Sequence, residues 1–142
     1  MRPPARAYRT TNFQVNELTR PAGAEFTILI VDDDSLVRDG VVSIVAAQGF
    51  RVRAAGSGVE AMRILAEEHV DLLFTDIVMP GQDGIELARE AKKLRPRLRV
   101  LFSTGYFSRA DDAIGLGELL FKPMRAPQIE AAVAQALRGL GQ

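Results

Sequence analysis

The chain has 142 residues, 47% apolar and 25% charged, with a net charge of zero at pH 7 and no cysteine. That length and balance suit one globular domain with an ordinary core. They exclude disulfides, thiolate metal sites and cysteine nucleophiles, and argue against a general binder of nucleic acid or membrane surface. No apolar stretch is long enough to span a bilayer, and no secretory signal precedes the first apolar run, so a cytoplasmic protein is expected.

Residues 1–25 carry Pro3, Pro4, Pro21 and Gly23 and show no sustained period. They read as an N-terminal arm, a candidate dimer contact, set before a domain over residues 26–142. From Phe26 a rhythm sets in. FTILIV is a continuous apolar, β-branched run, as expected of a strand buried on both faces. The next segment places Leu36, Val37, Val41, Ile44 and Val45 at helical spacing, with Asp34 as cap and Gly49 as stop. RVRAA is a short strand. SGVE predicts a capping box, Ser57 with Glu60, opening a helix through Met62, Leu65 and Ala66.

DLLFT is a second buried strand, and MPGQDG is turn chemistry. Asp83 caps a helix that ends before the pre-proline residue Arg95. RVLFST is a strand. FSRADDAIGLG is interrupted by glycine and predicts at best a short helix. ELLFK is the last strand. Pro127 suits the first turn of a final helix through Ile129, Val133 and Leu137, stopped by Gly139. The apolar face of that helix is read as core, with a dimer seam as the second reading.

Five strand–helix units predict an α/β fold: a doubly wound, flavodoxin-like (βα)5 with a five-stranded parallel sheet in the order 2-1-3-4-5. In such sheets ligands bind outside the carboxyl ends of the strands. The polar residues at those ends are Asp32 and Asp33, then Asp76, then Ser103 and Thr104, then Lys122. Three carboxylates in one pocket cannot all stay ionised unaided. A divalent cation resolves this, and an all-oxygen set suits Mg²⁺. Metal and lysine together suit a phosphoryl group, with Asp76 as the natural nucleophile.

ILIVDDD, LLFTDIVMPGQDG, VLFSTGY and FKP, in that order, resemble the response-regulator receiver domain of bacterial two-component signalling, over about residues 26 to 138. The resemblance implies Asp76 as phosphoacceptor, and Asp32, Asp33, Asp76 and the Val78 carbonyl around Mg²⁺. It implies Thr104 and Lys122 as phosphoryl contacts, a cis Lys122–Pro123 bond, and a small residue, Gly105, beside the phosphoryl. It implies a sensor histidine kinase as donor, and a histidine phosphotransfer protein as a further partner. Val78 and Tyr106 occupy the positions that tune dephosphorylation in the family. An apolar and an aromatic residue there give the expectation of a long-lived phosphoryl.

The sequence also departs from the family. Leu119 stands where a switch aromatic is usual, and Tyr106 or Phe107 is the candidate substitute. The span from Thr104 to Lys122 is short and holds Gly105, Gly115 and Gly117, so a brief fourth helix and a rebuilt output face are expected. The chain is read as a stand-alone regulator, a switch or phosphorelay carrier without a DNA-binding domain, catalysing only its own phosphoryl transfer. Two other classes stay open: an unphosphorylated binding module, and a small Mg²⁺-dependent phosphohydrolase using Asp32 and Asp34. His69 is read as a helix-end residue rather than a relay histidine, and Asp111 and Asp112 as a solvated helix start.

Overall fold

A computed structural model describes residues 25–140. Apart from Glu25, the expected arm lies outside the described residues, as do residues 141 and 142. Strands and helices alternate: β1 (Thr27–Val31), α1 (Ser35–Ala47), β2 (Arg51–Ala55), α2 (Gly58–Glu67), β3 (Leu72–Asp76), α3 (Gly84–Leu94), β4 (Arg99–Thr104), a 3-10 helix (Phe107–Ala113), β5 (Glu118–Phe121) and α4 (Ala126–Ala136). Every strand pair is parallel, and the order is β2-β1-β3-β4-β5, as the pattern predicts.

The apolar strands are continuous because both faces of the sheet are covered. Ile28, Ile30, Leu72, Phe74 and Leu101 turn one way and pack with Val41, Val45, Ile129 and Val133 of α1 and α4. Leu29, Val31, Leu73, Val100 and Phe102 turn the other way and meet Leu65, Leu87 and Ala88 of α2 and α3. Each large side chain so buried stabilises the fold by about 1.5–3 kcal/mol relative to exposure. Ile129, Val133 and Leu137 all lie in this core, which answers the first reading of that helix.

The caps set where each helix begins beside the carboxyl rim. Asp34 accepts the N–H groups of Leu36 and Val37 at the start of α1. Asp83 and Glu86 form a reciprocal capping box at the start of α3. At α2 the expected box is half made. Ser57 accepts the Glu60 N–H, but the Glu60 carboxylate takes the Gly56 N–H instead of that of Ser57. Gly49, at φ +98°, ends the turn after α1 in a conformation that side chains resist.

Candidate functional site

Parallel strands deliver their carboxyl ends to one rim. Asp32 and Asp33 follow β1, Asp76 ends β3, Thr104 ends β4 and Lys122 follows β5. The Lys122 ammonium donates to Asp32 Oδ2 and to Asp76 Oδ2, each at 3.0 Å. Both acids are buried, 4% and 7% exposed. One oxygen from each of Asp32, Asp33 and Asp76 lies within 4.8 Å of the others. One ammonium among three carboxylates leaves the cluster with negative charge to spare. Asp33 is exposed, so the cluster opens to water on that side. This all-oxygen donor set, half protein and half open, fits a hard divalent cation such as Mg²⁺.

The supports of the cluster are local. Asp32 Oδ1 accepts the Asp34 N–H at 2.9 Å, which fixes the carboxylate that Lys122 reaches. Arg38 donates to the Asp32 carbonyl at 2.8 Å. The carboxylate of Asp34 is spent on capping α1, the plainer of the jobs that the acidic triplet suggests. Behind Asp76 stands Gly84, whose Cα is pressed on the Asp76 carbonyl so closely that a Cβ would collide with it. Its N–H donates to Ile77 O at 2.7 Å. Sequence reasoning passed over Gly84; the Asp-Gly pair closing the MPGQDG turn was its only signal.

Burial pushes the Asp76 carboxyl above the usual carboxylate range; Asp32 adds to this, while Lys122 and the Val78 N–H oppose it without winning. Burial pulls the Lys122 ammonium down, but Asp76 and Asp32 outweigh it and the net shift is upward. Lys122 is therefore charged at neutral pH. Thr104 is fully buried, and its hydroxyl accepts the Tyr106 N–H at 3.1 Å. Its carbonyl accepts the Lys122 N–H at 2.8 Å, which ties the two rim residues together. Ser103 is buried, and its carbonyl accepts the Ile77 N–H. The Lys122–Pro123 bond is cis, as expected.

Other expectations divide. Leu119, at the usual aromatic position, is half-buried against the core on the side of α2 and α3. Two residues on, and so on the same strand face, Phe121 packs against Phe107 at a tilt of 45°, ring centroids 4.5 Å apart. Phe107 was one of the two candidate rings; Phe121 was missed, though strand alternation signals it. Tyr106 is exposed and joins no ring pair among the described residues. Asp111 and Asp112 fall at the end of the 3-10 helix rather than the start, and Asp112 pairs with Arg109. His69 lies at the amino end of β3, away from the rim. It stands just beyond the Glu68 cap of α2, at the helix end as expected, and pairs with Asp71 at 2.9 Å.

Residues 28–134 match the response regulator receiver domain family. The response regulator receiver protein CpdR of Brucella abortus is 40% identical over 100 residues, 68% of this chain and 83% of that protein. The sensor kinase CckA of the same organism is 37% identical over 117 residues, 78% of this chain but only 12% of the kinase. Among solved structures, a CheY-like receiver domain protein from Methanospirillum hungatei superposes with a TM-score of 0.75 at 28% identity, covering 80% of this chain and 94% of that one. No helix among the described residues is long and apolar enough to cross a membrane. With its motifs on the carboxyl ends of a 2-1-3-4-5 sheet, the chain belongs to the response regulator receiver domain family.

Proposed function

We propose that this receiver domain accepts a phosphoryl group on Asp76 from the phosphohistidine of a sensor histidine kinase or histidine phosphotransfer protein, and signals through protein contacts. The observation that carries the reading is the buried Asp76 carboxylate, raised in pKa and held by Lys122 beside two further acids. A carboxylate fixed in place beside a cation is a competent nucleophile toward phosphorus.

A carboxylate oxygen of Asp76 bonds to phosphorus as the phosphorus–nitrogen bond of the donor breaks, and the electron pair leaves with the imidazole. Lys122, now paired with Asp76, follows the new charge onto the phosphoryl oxygens. The Thr104 oxygen accepts the Tyr106 N–H, and its own O–H can donate to the phosphoryl oxygens once the side chain turns toward Asp76. Asp32, Asp33, Asp76 and the Val78 carbonyl would hold Mg²⁺. When bound, the ion supplies positive charge against the phosphoryl oxygens. Val78 and Tyr106 offer an attacking water no general base, which supports a slow loss of the phosphoryl. The phosphohydrolase alternative needs Asp34 free as general acid, and its helix-capping bonds count against that.

The test is intact mass after incubation with acetyl phosphate, with and without Mg²⁺, for wild type and Asp76→Asn. One added phosphoryl that needs both Mg²⁺ and Asp76 is expected. A wild type that takes none would leave the reading of a pure binding module. Release of inorganic phosphate in many turnovers would favour the hydrolase.

A further inference from the structure

The span from Gly105 to Gly117 lies beside the site, yet among its residues only Ala113 is buried. So little apolar contact cannot by itself hold a segment in one position. The Phe107–Phe121 ring contact and half-buried Leu116 help hold it to the sheet, and two polar ties add to them. The Tyr106 N–H is bound to the Thr104 hydroxyl. Arg109 donates through its NH2 group to Asp83 Oδ2 at 2.8 Å and through Nε to Asp112 Oδ2 at 2.7 Å. Asp112 belongs to the segment itself, so that bond only aims the guanidinium. Asp83 belongs to the body. It caps α3, and the next residue, Gly84, is pressed on the Asp76 carbonyl. The two side chains are 29% and 28% exposed, more sheltered than the Arg63–Glu60 pair at 64% and 43%.

We infer that Arg109 is a positioning residue for the phosphoryl chemistry, a latch that fastens the 3-10 segment to the stationary Asp83. The inference rests on the functional reading above. While the latch is closed, the segment keeps the Tyr106 N–H on the Thr104 oxygen and so fixes the rotamer from which that hydroxyl must reach a phosphoryl on Asp76. Opening the latch frees segment and hydroxyl together. Leu119 is half-buried in the core, so the coupling passes through a charged pair rather than a swinging ring.

The test compares wild type with Arg109→Ala, Asp83→Asn and Asp112→Asn. Asparagine keeps the capping oxygen of residue 83 while removing its charge. Hydrogen exchange of residues 105–117 is measured without phosphodonor, and the rate of phosphoryl uptake from acetyl phosphate with Mg²⁺. Arg109→Ala and Asp83→Asn should each speed both by about three-fold, the scale of a half-exposed ion pair. Their combination should do no more than either alone, and Asp112→Asn should leave exchange near wild type. Arg109→Lys keeps the charge without the fork and should fall between wild type and alanine. Unchanged exchange in Arg109→Ala would overturn the latch. Faster exchange with unchanged or slower uptake would leave the arginine a merely structural tie and overturn its positioning role. A wild type that takes no phosphoryl would overturn the functional reading and this one with it.

Discussion

The rim of the sheet and the segment from Gly105 to Gly117 are built on opposite terms. At the rim, Asp32, Asp76 and Thr104 are buried at the ends of strands whose own side chains are almost all buried. Their positions are fixed by backbone: the Asp34 N–H on Asp32, Gly84 against Asp76, the Lys122 N–H on the Thr104 carbonyl. The neighbouring segment is held by a charged pair, one hydroxyl, the Phe107–Phe121 ring contact, half-buried Leu116 and one buried alanine, and it shows water Tyr106, Phe107 and Ile114. The first suits chemistry that needs fixed oxygens, and the second suits motion that costs little. The contrast teaches that burial within one small sheet can divide reaction from response.

The largest expected effect tests the rigid side. Gly84→Ala puts a Cβ into the Asp76 carbonyl, and the backbone must give way. A loss of about 3 kcal/mol in urea unfolding is expected, at the upper end for overpacking, with phosphoryl uptake falling alongside. If Gly84→Ala were as stable as wild type, the rim would be softer than described.

Next in size is Lys122→Met. It leaves Asp32 and Asp76 facing each other without their cation, at a cost of about 2 kcal/mol in metal-free buffer, given that the lysine is partly open to solvent. Excess Mg²⁺ should restore part of that, because an ion that binds only the folded state stabilises it. No gain with Mg²⁺ would argue against a cation site among these acids.

The segment should answer more weakly. The Asp83 carboxyl is held below the usual carboxylate range: burial opposes the shift, but the Glu86 N–H and Arg109 outweigh it. A group lowered on folding stabilises above its unfolded value of about 4 and loses that contribution as pH falls through its folded value. Urea unfolding of wild type and Asp83→Asn should therefore differ by about 0.5 kcal/mol at pH 7, a figure reduced for solvent screening. The difference should vanish as pH falls below the folded value. Asp76 works with the opposite sign, since a raised carboxyl favours its protonated form in the folded state. Of similar size, Phe107→Ala removes half of an exposed ring pair and should cost about 0.5 kcal/mol. A larger loss would make that pair part of the core.

The same division explains what the sequence disclosed. Strands buried on both faces write themselves as apolar runs, so β1, β3 and β4 and the acids at their ends were legible, and with them Asp32, Asp33, Asp76, Thr104 and Lys122. Gly84 was not, because a close approach between a helix start and a carbonyl leaves only one small residue as its mark. Nor was the Arg109–Asp83 tie, since the two residues stand 26 apart in the chain and meet only once β4 lies beside β3. Glu60 looked like the second half of a capping box, but the Gly56 N–H was an equal claimant one residue away. The Phe107–Phe121 pair was not legible either, because the two rings lie on different elements and meet only once the 3-10 helix folds beside β5.

The most direct test of the account is where the phosphoryl lands. Protein treated with acetyl phosphate and Mg²⁺ is reduced with borohydride, which converts an acyl phosphate into an alcohol, and its peptides are mapped by mass. The account expects homoserine at position 76 alone, lost when Mg²⁺ is chelated. Reduction at Asp32 or Asp33, or at no aspartate while the phosphoryl is bound elsewhere, would contradict it.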